Sequence, residues 1–276
     1  MSDKENKNVT PIPPDLANVP PAQEYAAINP LLTRVEMPGS TFQLPSRGLF
    51  YDNGELRDDV EMGEVHVHPM SAFDEILMKT PDALFSGEAV HKVFLRCIPQ
   101  VLQPVELLAK DVDFLLTCQS QVTNGAEMEV KYTHNCEDAK SNSYTINISK
   151  FVASAKKIDP TTIGSVYSTT LENGQRVKMH PTKFKDVIKM YQDINPGVVS
   201  TPEEELESTV FIIKSIISSV DEITDEKIIE EWIKKIPSGW LKDLSKTIED
   251  ASDFGPSFTF KTTCKDCGKP IEIESP

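Results

Sequence analysis

Two segments that lie far apart in the chain share one pattern: an alternating strand, a group of potential metal ligands, and a second alternating strand. The later segment, 258–273, contains Cys264-Lys265-Asp266-Cys267-Gly268. Two thiolates three positions apart can bind one tetrahedral ion, and a glycine after the second permits the turn that brings both sulfurs inward. The earlier segment, 126–148, contains Thr133-His134-Asn135-Cys136. Since each segment supplies only half of a metal site, the pattern predicts that the two meet in space.

The ligands of this predicted site are Cys136, Cys264 and Cys267, with His134 as the fourth. We predict one zinc ion. The fourth ligand is the less regular one, because His-x-Cys is a tighter chelate than the usual spacing and Thr133, at the usual spacing from Cys136, is not a ligand. The alternative is a degenerate site in which the cysteines only pack. A closed site with four protein ligands has no open position for water, so its role is structural and not catalytic.

The residues between the two segments have largely helical sequence patterns. Together with the predicted strands, they predict an α+β fold. We expect a helical core with short β-hairpins and a discontinuous zinc-ribbon-like unit, whose two knuckles are separated by an inserted helical block. Residues 1–28 contain five prolines and few large apolar side chains, which predicts a flexible proline-rich arm that docks on a partner. The remaining boundaries that we predict are an α+β domain at 29–180 plus 252–276 and a helical insertion at 181–251.

Several local signals place elements within this plan. Asn53-Gly54 and Asn173-Gly174 are strong two-residue hairpin turns. Ser71 is a good helix N-cap, with two acidic residues in the following turn. The apolar residues of 206–220 recur at helical spacing, which predicts one continuous core helix over that range.

Composition excludes several classes of function. The chain has 28 basic and 43 acidic residues and a net charge of −15, which disfavours binding to the phosphates of nucleic acids and to anionic lipid. Five cysteines among 276 residues do not form a disulfide scaffold. The sequence has no apolar run of membrane-spanning length and begins with charged residues, so we expect a soluble intracellular protein. It contains no nucleophile elbow, phosphate loop or HExxH motif, and we expect no enzymatic activity.

A series of further motifs occurs in a fixed order along the chain. They are Leu44-Pro45-Ser46-Arg47-Gly48-Leu49-Phe50-Tyr51, Pro69-Met70, Thr80-Pro81-Asp82-Ala83-Leu84 and Asp111-Val112-Asp113-Phe114-Leu115-Leu116, followed by the first metal-ligand segment. In this order they resemble the baseplate hub proteins and hub-assembly factors of T-even-type contractile-tailed phages. The resemblance covers residues 40–150 and continues loosely to the terminal Cys-x-x-Cys. Members of that family usually have a second Cys-x-x-Cys where this chain has Thr133 and Cys136.

The resemblance implies a non-enzymatic role in building or forming part of the baseplate hub. The implied partners are other phage baseplate or tail proteins, and the implied location is the virion baseplate or the host cytoplasm during assembly. An alternative from the residues alone is a zinc-ribbon regulatory protein that binds nucleic acid. Lys261, Lys265 and Lys269 lie near the second knuckle, but acidic neighbours dilute their charge. An unrecognised enzyme is a third possibility, and it would need a polar pocket that the sequence does not indicate.

Arg47 is the candidate partner-binding residue. It lies in the polar turn Pro45-Ser46-Arg47-Gly48, which large apolar side chains surround on both sides. Arginine is enriched among the residues that contribute most to protein interfaces, and nothing in the local pattern requires its charge. We therefore expect Arg47 to contact a baseplate protein.

Overall fold

Helices and short antiparallel strands alternate along the chain in the computed structural model, which describes residues 38–136, 140–193 and 202–274. These residues belong to a unit that begins at Pro38. The predicted arm at 1–28 lies outside the described residues. Within those residues, no helix is long and apolar enough to span a membrane.

The strands form four small antiparallel sheets within the described residues, with strand orders β1-β2, β3-β4, β5-β6-β7 and β8-β9. Their bounds are β1 Ser40–Gln43, β2 Glu64–Val67, β3 Glu127–Thr133, β4 Ser141–Asn147, β5 Ser168–Thr170, β6 Arg176–Met179, β7 Ile217–Val220, β8 Thr259–Thr263 and β9 Pro270–Glu274. The α+β class is therefore confirmed.

The helices fall mainly into two groups, one before β3 and one after β6. Their bounds are α1 Ala72–Met78, α2 Pro81–Phe85, α3 Glu88–Cys97, α4 Ala109–Asn124, α5 Ile148–Ser154, α6 Ile163–Val166, α7 Phe184–Asp193, α8 Pro202–Ile216, α9 Glu226–Ile233 and α10 Ser238–Ala251. Short 3-10 helices cover Pro104–Glu106 and Pro160–Thr162.

The first group of helices packs on the β1-β2 sheet around Phe94, Leu115 and Val65, which are fully buried. Helix α1 begins at the predicted N-cap. The Ser71 hydroxyl accepts from the Asp74 amide while the Asp74 carboxylate accepts from the Ser71 amide, so both groups are satisfied. A second core joins the three-stranded sheet to α8, α9 and α10 around residues such as Ile213 and Leu244.

The prediction of a hairpin at Asn53-Gly54 is wrong. Strand β1 pairs with β2, with Phe42 opposite Val65, so a long connection separates the paired strands. Asn53 instead lies in a bend where its amide donates to the carboxylate of the buried Glu55 at 2.8 Å. A side-chain acceptor thus replaces the ladder hydrogen bond that a hairpin would supply. The hairpin at Asn173-Gly174 is confirmed, since it connects β5 to β6.

The prediction of one helix through residue 220 is also wrong, because the helix ends at Ile216 and the chain continues directly as β7. Val220 pairs with Val177 and Ser219 with Lys178 of β6. The segment after Ile216 consists of β-branched residues, which favour a strand, and serines, which are weak helix formers. β7, which lies in the predicted helical insertion, therefore belongs to the same sheet as β5 and β6, which precede that insertion. The domain boundaries at 28, 180 and 251 remain predictions.

Candidate metal centre

Two β-hairpins position the four predicted ligands. The β3-β4 hairpin carries His134 and Cys136 in the connection after β3, and the β8-β9 hairpin carries Cys264 and Cys267 between its strands. Both strand pairs occur where the alternating apolar pattern predicts them. The structure therefore brings together two ligand pairs that are at least 128 positions apart in the sequence.

The second knuckle is a tight turn closed by backbone hydrogen bonds. The Cys264 amide donates to the Lys269 carbonyl at 2.8 Å, and the Gly268 amide donates to the Cys264 carbonyl at 2.9 Å. Gly268 has a φ of 70°, which a residue with a Cβ adopts only at a cost. This glycine therefore has the role that the sequence predicts for it.

Hydrogen bonds across the two hairpins hold the knuckles in register. One carboxylate oxygen of Asp266 accepts from the Asn142 side-chain amide at 2.7 Å and from the Lys140 backbone amide at 3.3 Å. The Lys265 backbone amide donates to the Tyr144 hydroxyl at 3.2 Å, and its ammonium donates to the Ser143 carbonyl. Sequence reasoning did not identify these contacts. Asp266 is an intervening position of the Cys-x-x-Cys motif, which carries no signal of its own, and the strand pattern identifies Tyr144 only as an apolar position of β4.

A small apolar cluster lies between the hairpins. Tyr144 and Cys264 are buried in it together with Ile271 and Ile273, and Tyr132 of β3 and Phe260 of β8 pack against it. Apart from Cys264, these residues belong to the apolar positions of the alternating pattern in the four strands. The cluster contains few large side chains, so apolar burial alone provides limited stability to a unit of this size.

The four ligand atoms are close enough to share one ion. The Nδ1 or Nε2 atom of His134 and the Sγ atoms of Cys136, Cys264 and Cys267 all lie within 4.8 Å of one another. The Cys267 sulfur is 3.4 Å from Nδ1 of His134. A tetrahedral zinc site with bonds of about 2.0–2.3 Å has ligand atoms roughly 3.5–3.8 Å apart, so the side chains need move by about 1 Å or less to bind an ion.

The thiols differ in how readily they ionise. The backbone amides of Cys267 and Asp266, which donate to the Cys264 sulfur, lower the pKa of Cys264 to about 6. Burial raises the pKa of Cys136, and together with the adjacent Cys267 and Cys264 sulfurs it brings this pKa to about 11. The cluster thus favours a thiolate at Cys264 and disfavours one at Cys136, and a bound cation would stabilise both as thiolates.

These residues could therefore bind a metal ion. Three sulfurs and one imidazole form a donor set that structural zinc sites use, and all four positions are supplied by the protein. Cys264 is buried, His134 and Cys136 are half-buried, and Cys267 is exposed, so an ion could enter from the Cys267 side. Within the described residues, no other group of three or more possible ligands has this arrangement.

The lysines near the second knuckle are largely engaged within the protein. The ammonium of Lys265 also lies over the Tyr144 ring, 5.1 Å from its centre. Lys261 pairs with Glu272 at 2.8 Å, and this carboxylate raises the pKa of Lys261. Positive charge on this face is therefore partly neutralised by the protein itself.

Arg47, the predicted partner-binding residue, is not part of this group. It lies in the turn after β1, where it is half-buried and borders a surface cavity. The turn also depends on Asp111 of α4, whose carboxylate accepts from the Ser46 backbone amide at 3.0 Å. Sequence reasoning did not identify this contact, because an acidic residue in the first turn of a helix normally faces solvent.

Comparison with known protein families found a match to the family described as T4 bacteriophage base plate protein, over residues 60–275. The match includes both ligand pairs of the candidate metal centre. Comparisons with curated proteins and with solved structures found no match. Because the family model covers most of the sequence, the chain belongs to the T4 bacteriophage base plate protein family.

Proposed function

We propose that this protein is a non-enzymatic component or assembly factor of the baseplate hub, which acts through contacts with other baseplate or tail proteins. The observation that carries the proposal is the family match over residues 60–275. The ordered motifs between Leu44 and Leu116 support the more specific assignment to the hub. On this proposal the protein is located in the virion baseplate, or in the host cytoplasm while the hub assembles.

We also propose that His134, Cys136, Cys264 and Cys267 bind one zinc ion, whose role is structural. The convergence of the four ligand atoms within 4.8 Å supports this assignment. When bound, zinc would supply a further link between two hairpins that a small apolar cluster and a few hydrogen bonds already join. In sites of this kind the free energy of metal binding contributes to the free energy of folding. The ion would therefore keep the ribbon rigid enough to present a fixed surface to a partner.

The proposed function is tested by infection with a phage whose gene for this protein is deleted, complemented from a plasmid in the host. Without complementation we expect no complete baseplates in lysates viewed by electron microscopy, and a loss of plaques that the intact gene restores. Quantitative mass spectrometry of purified tails and of assembly intermediates then shows where the protein resides. Normal tails from the deletion phage would refute the proposal.

The same complementation experiment also tests the zinc proposal. Complementation with Cys267→Ser should fail or become temperature-sensitive, because one ligand of the link is lost. Lys269→Ala is the matched control, since Lys269 is an exposed residue in the same knuckle and is not a ligand. Equal plaque numbers for Cys267→Ser and the intact gene at every growth temperature would contradict a structural role for the metal.

A further inference from the structure

Strand β3 has one edge to which no other strand is paired. Its other edge pairs with β4 along all seven residues, Glu127–Thr133, and this sheet contains only these two strands within the described residues. The Ile148 amide donates to the Ala126 carbonyl at 2.8 Å and continues the same ladder. Because ladder bonds alternate along an antiparallel strand, the even-numbered residues of β3 bond to β4, and the odd-numbered residues direct their amides and carbonyls away from it.

The backbone groups along this outer edge are unpaired. The odd-numbered residues of β3 are Glu127, Glu129, Lys131 and Thr133, and all four are exposed. Within the part of the chain that the structure describes, the outward amides and carbonyls of these residues have no hydrogen-bond partner. A row of free amides and carbonyls can bind one further strand through main-chain hydrogen bonds. We refer to this row as the β3 edge.

The even-numbered side chains of β3 lie on the opposite face of the sheet, where the β8-β9 hairpin packs. On this face Val130 pairs with Tyr144 and Met128 pairs with Ile146. The two residues of β4 are buried, whereas their partners on β3 are only half-buried. The apolar face is therefore more open at the β3 edge than over β4, and a strand added at this edge would cover more of it.

The exposed face of β3 carries two charges of opposite sign. Glu129 and Lys131 are two positions apart, and the residues opposite them on β4 are Thr145 and Ser143, which carry no charge. Neither charge has an ion-pair partner among the described residues. The two charges lie on either side of Val130, so the β3 edge is complementary in charge to a copy of itself that runs in the opposite direction.

We propose that two copies of this chain associate through their β3 edges, antiparallel, and form one continuous sheet in the order β4-β3-β3-β4. Glu129 of each copy then lies opposite the partner subunit's Lys131, so two ion pairs form. On the apolar face Met128 lies opposite the partner subunit's Tyr132. The same patch is used on both copies, so the contact closes with two chains and leaves no free β3 edge.

The charges select this register over its neighbours. Only outward-facing residues can bond across the edge, so the alternative registers differ in steps that keep odd-numbered residues opposite one another. The next register in one direction places Glu129 opposite the partner subunit's Glu129, and the next in the other direction does the same with Lys131. Like charges directly opposite each other destabilise a strand pair, and larger shifts pair fewer residues.

The dimer is tested by analytical ultracentrifugation of the purified full-length protein, from about 1 µM to about 1 mM. A reductant is present throughout, because Cys267 is exposed and could form disulfides between chains. A contact through one strand is small, so we expect a dimer that forms as the concentration rises and not a permanent one. Glu129→Lys and Lys131→Glu each place like charges opposite one another twice, and each should weaken self-association about tenfold or more.

A mixture of these two variants is the sharpest measurement. Glu129→Lys has two positive charges on the β3 edge and Lys131→Glu has two negative charges, so each variant is complementary to the other. We expect an equimolar mixture to form heterodimers with an affinity close to that of the parent protein. The double variant that carries both substitutions should dimerise with itself, because its charges are again complementary. These recoveries also verify that the substituted chains are folded.

Lys227→Glu is the matched control, since it makes the same change of charge at an exposed position of helix α9. It should leave the affinity of the dimer unchanged, and a loss equal to that of Lys131→Glu would indicate general charge repulsion and overturn the proposal. A parent protein that is monomeric at every concentration, a dimer that Glu129→Lys does not weaken, or a double variant that does not dimerise would each overturn it too.

Discussion

Replacing Tyr51 with phenylalanine tests how the turn that carries Arg47 is held on helix α4. The Tyr51 hydroxyl donates to the Asp111 carboxylate at 2.7 Å and accepts from the Leu108 backbone amide at 2.9 Å. The other carboxylate oxygen of Asp111 accepts from the Ser46 amide. Both Asp111 and Ser46 are fully buried. Removal of one hydroxyl therefore leaves two buried groups without their partner and does not change the ring.

The size of the effect follows from these two losses. An unsatisfied buried amide costs about 1–3 kcal/mol, and a lost hydrogen bond to a charged group costs about 1.5–3 kcal/mol. We therefore expect Tyr51→Phe to lower the free energy of unfolding by about 2.5–6 kcal/mol, a large part of the total for a typical domain.

The loss should also depend on pH. Burial raises the pKa of Asp111 from 3.8 to about 6, against the opposing effect of the bonds from Ser46 and Tyr51. The folded state therefore binds more protons than the unfolded state between these values, and stability falls as the pH rises through this window. Without the Tyr51 bond the folded pKa rises further and the window extends upward. The destabilisation by Tyr51→Phe should accordingly be larger at about pH 8 than at about pH 5.

The assay is urea unfolding followed by circular dichroism, with the variant and the parent protein compared at each pH so that contributions common to both cancel. Tyr191→Phe is the matched control, because Tyr191 is 63 % exposed and should change stability by less than about 0.5 kcal/mol. A loss below about 1 kcal/mol for Tyr51→Phe would refute the reasoning. So would a loss that is larger at the lower pH.

Three further predictions concern the ribbon and the turn. His134→Ala should reduce zinc affinity by more than about 100-fold in a chelator competition, because the loss of a ligand costs more than the roughly 10-fold to 100-fold loss seen when a ligand's hydrogen-bond partner is removed. Asn135 is adjacent and exposed, so Asn135→Ala should leave the affinity unchanged. Equal affinities for the two variants would exclude His134 as a ligand. Asp266→Ala should lower the stability of the ribbon by about 1–2 kcal/mol in hydrogen exchange, because the hairpins lose a shared acceptor, and unchanged protection there would contradict this. Gly63→Ala should lower the free energy of unfolding, measured by thermal unfolding, by more than about 3 kcal/mol. Gly174 also has a positive φ but open surroundings, so Gly174→Ala should lower the free energy of unfolding by only about 1 kcal/mol. Equal losses for the two variants would contradict the close approach of the neighbouring backbone to Gly63.

The convergence of the four candidate ligands could be predicted from sequence because each pair has a local pattern. Cys264 and Cys267 are three positions apart, and alternating strands flank each ligand pair. Because a tetrahedral ion requires four ligands and each hairpin supplies two, the coordination number predicts that the two distant hairpins meet. The identity of His134 as the nearest remaining candidate follows in the same way. The hairpin at Asn173-Gly174 was predictable for a similar reason, since its turn and both strands are contiguous.

The features that sequence did not predict depend on contacts between distant residues. Helical spacing continues beyond Ile216, but pairing with β6 determines that Ile217 begins a strand. The carboxylate of Glu55 satisfies the Asn53 amide, and a turn signal alone does not reveal that acceptor. Asp111 occupies a position typical of a solvated helix start, yet it is buried because Ser46 and Tyr51 bind it. In each case tertiary structure overrides a local preference.

X-ray absorption spectroscopy at the zinc edge, on protein purified without added metal, is the most direct test of our proposal that two distant hairpins of this baseplate protein share one structural zinc ion. Elemental analysis of the same sample gives the zinc content. We expect one zinc per chain, bound by three sulfurs and one nitrogen at bond lengths of about 2.3 and 2.0 Å. A purified, folded protein without stoichiometric zinc, or a zinc ion with two or fewer sulfur ligands, would contradict it.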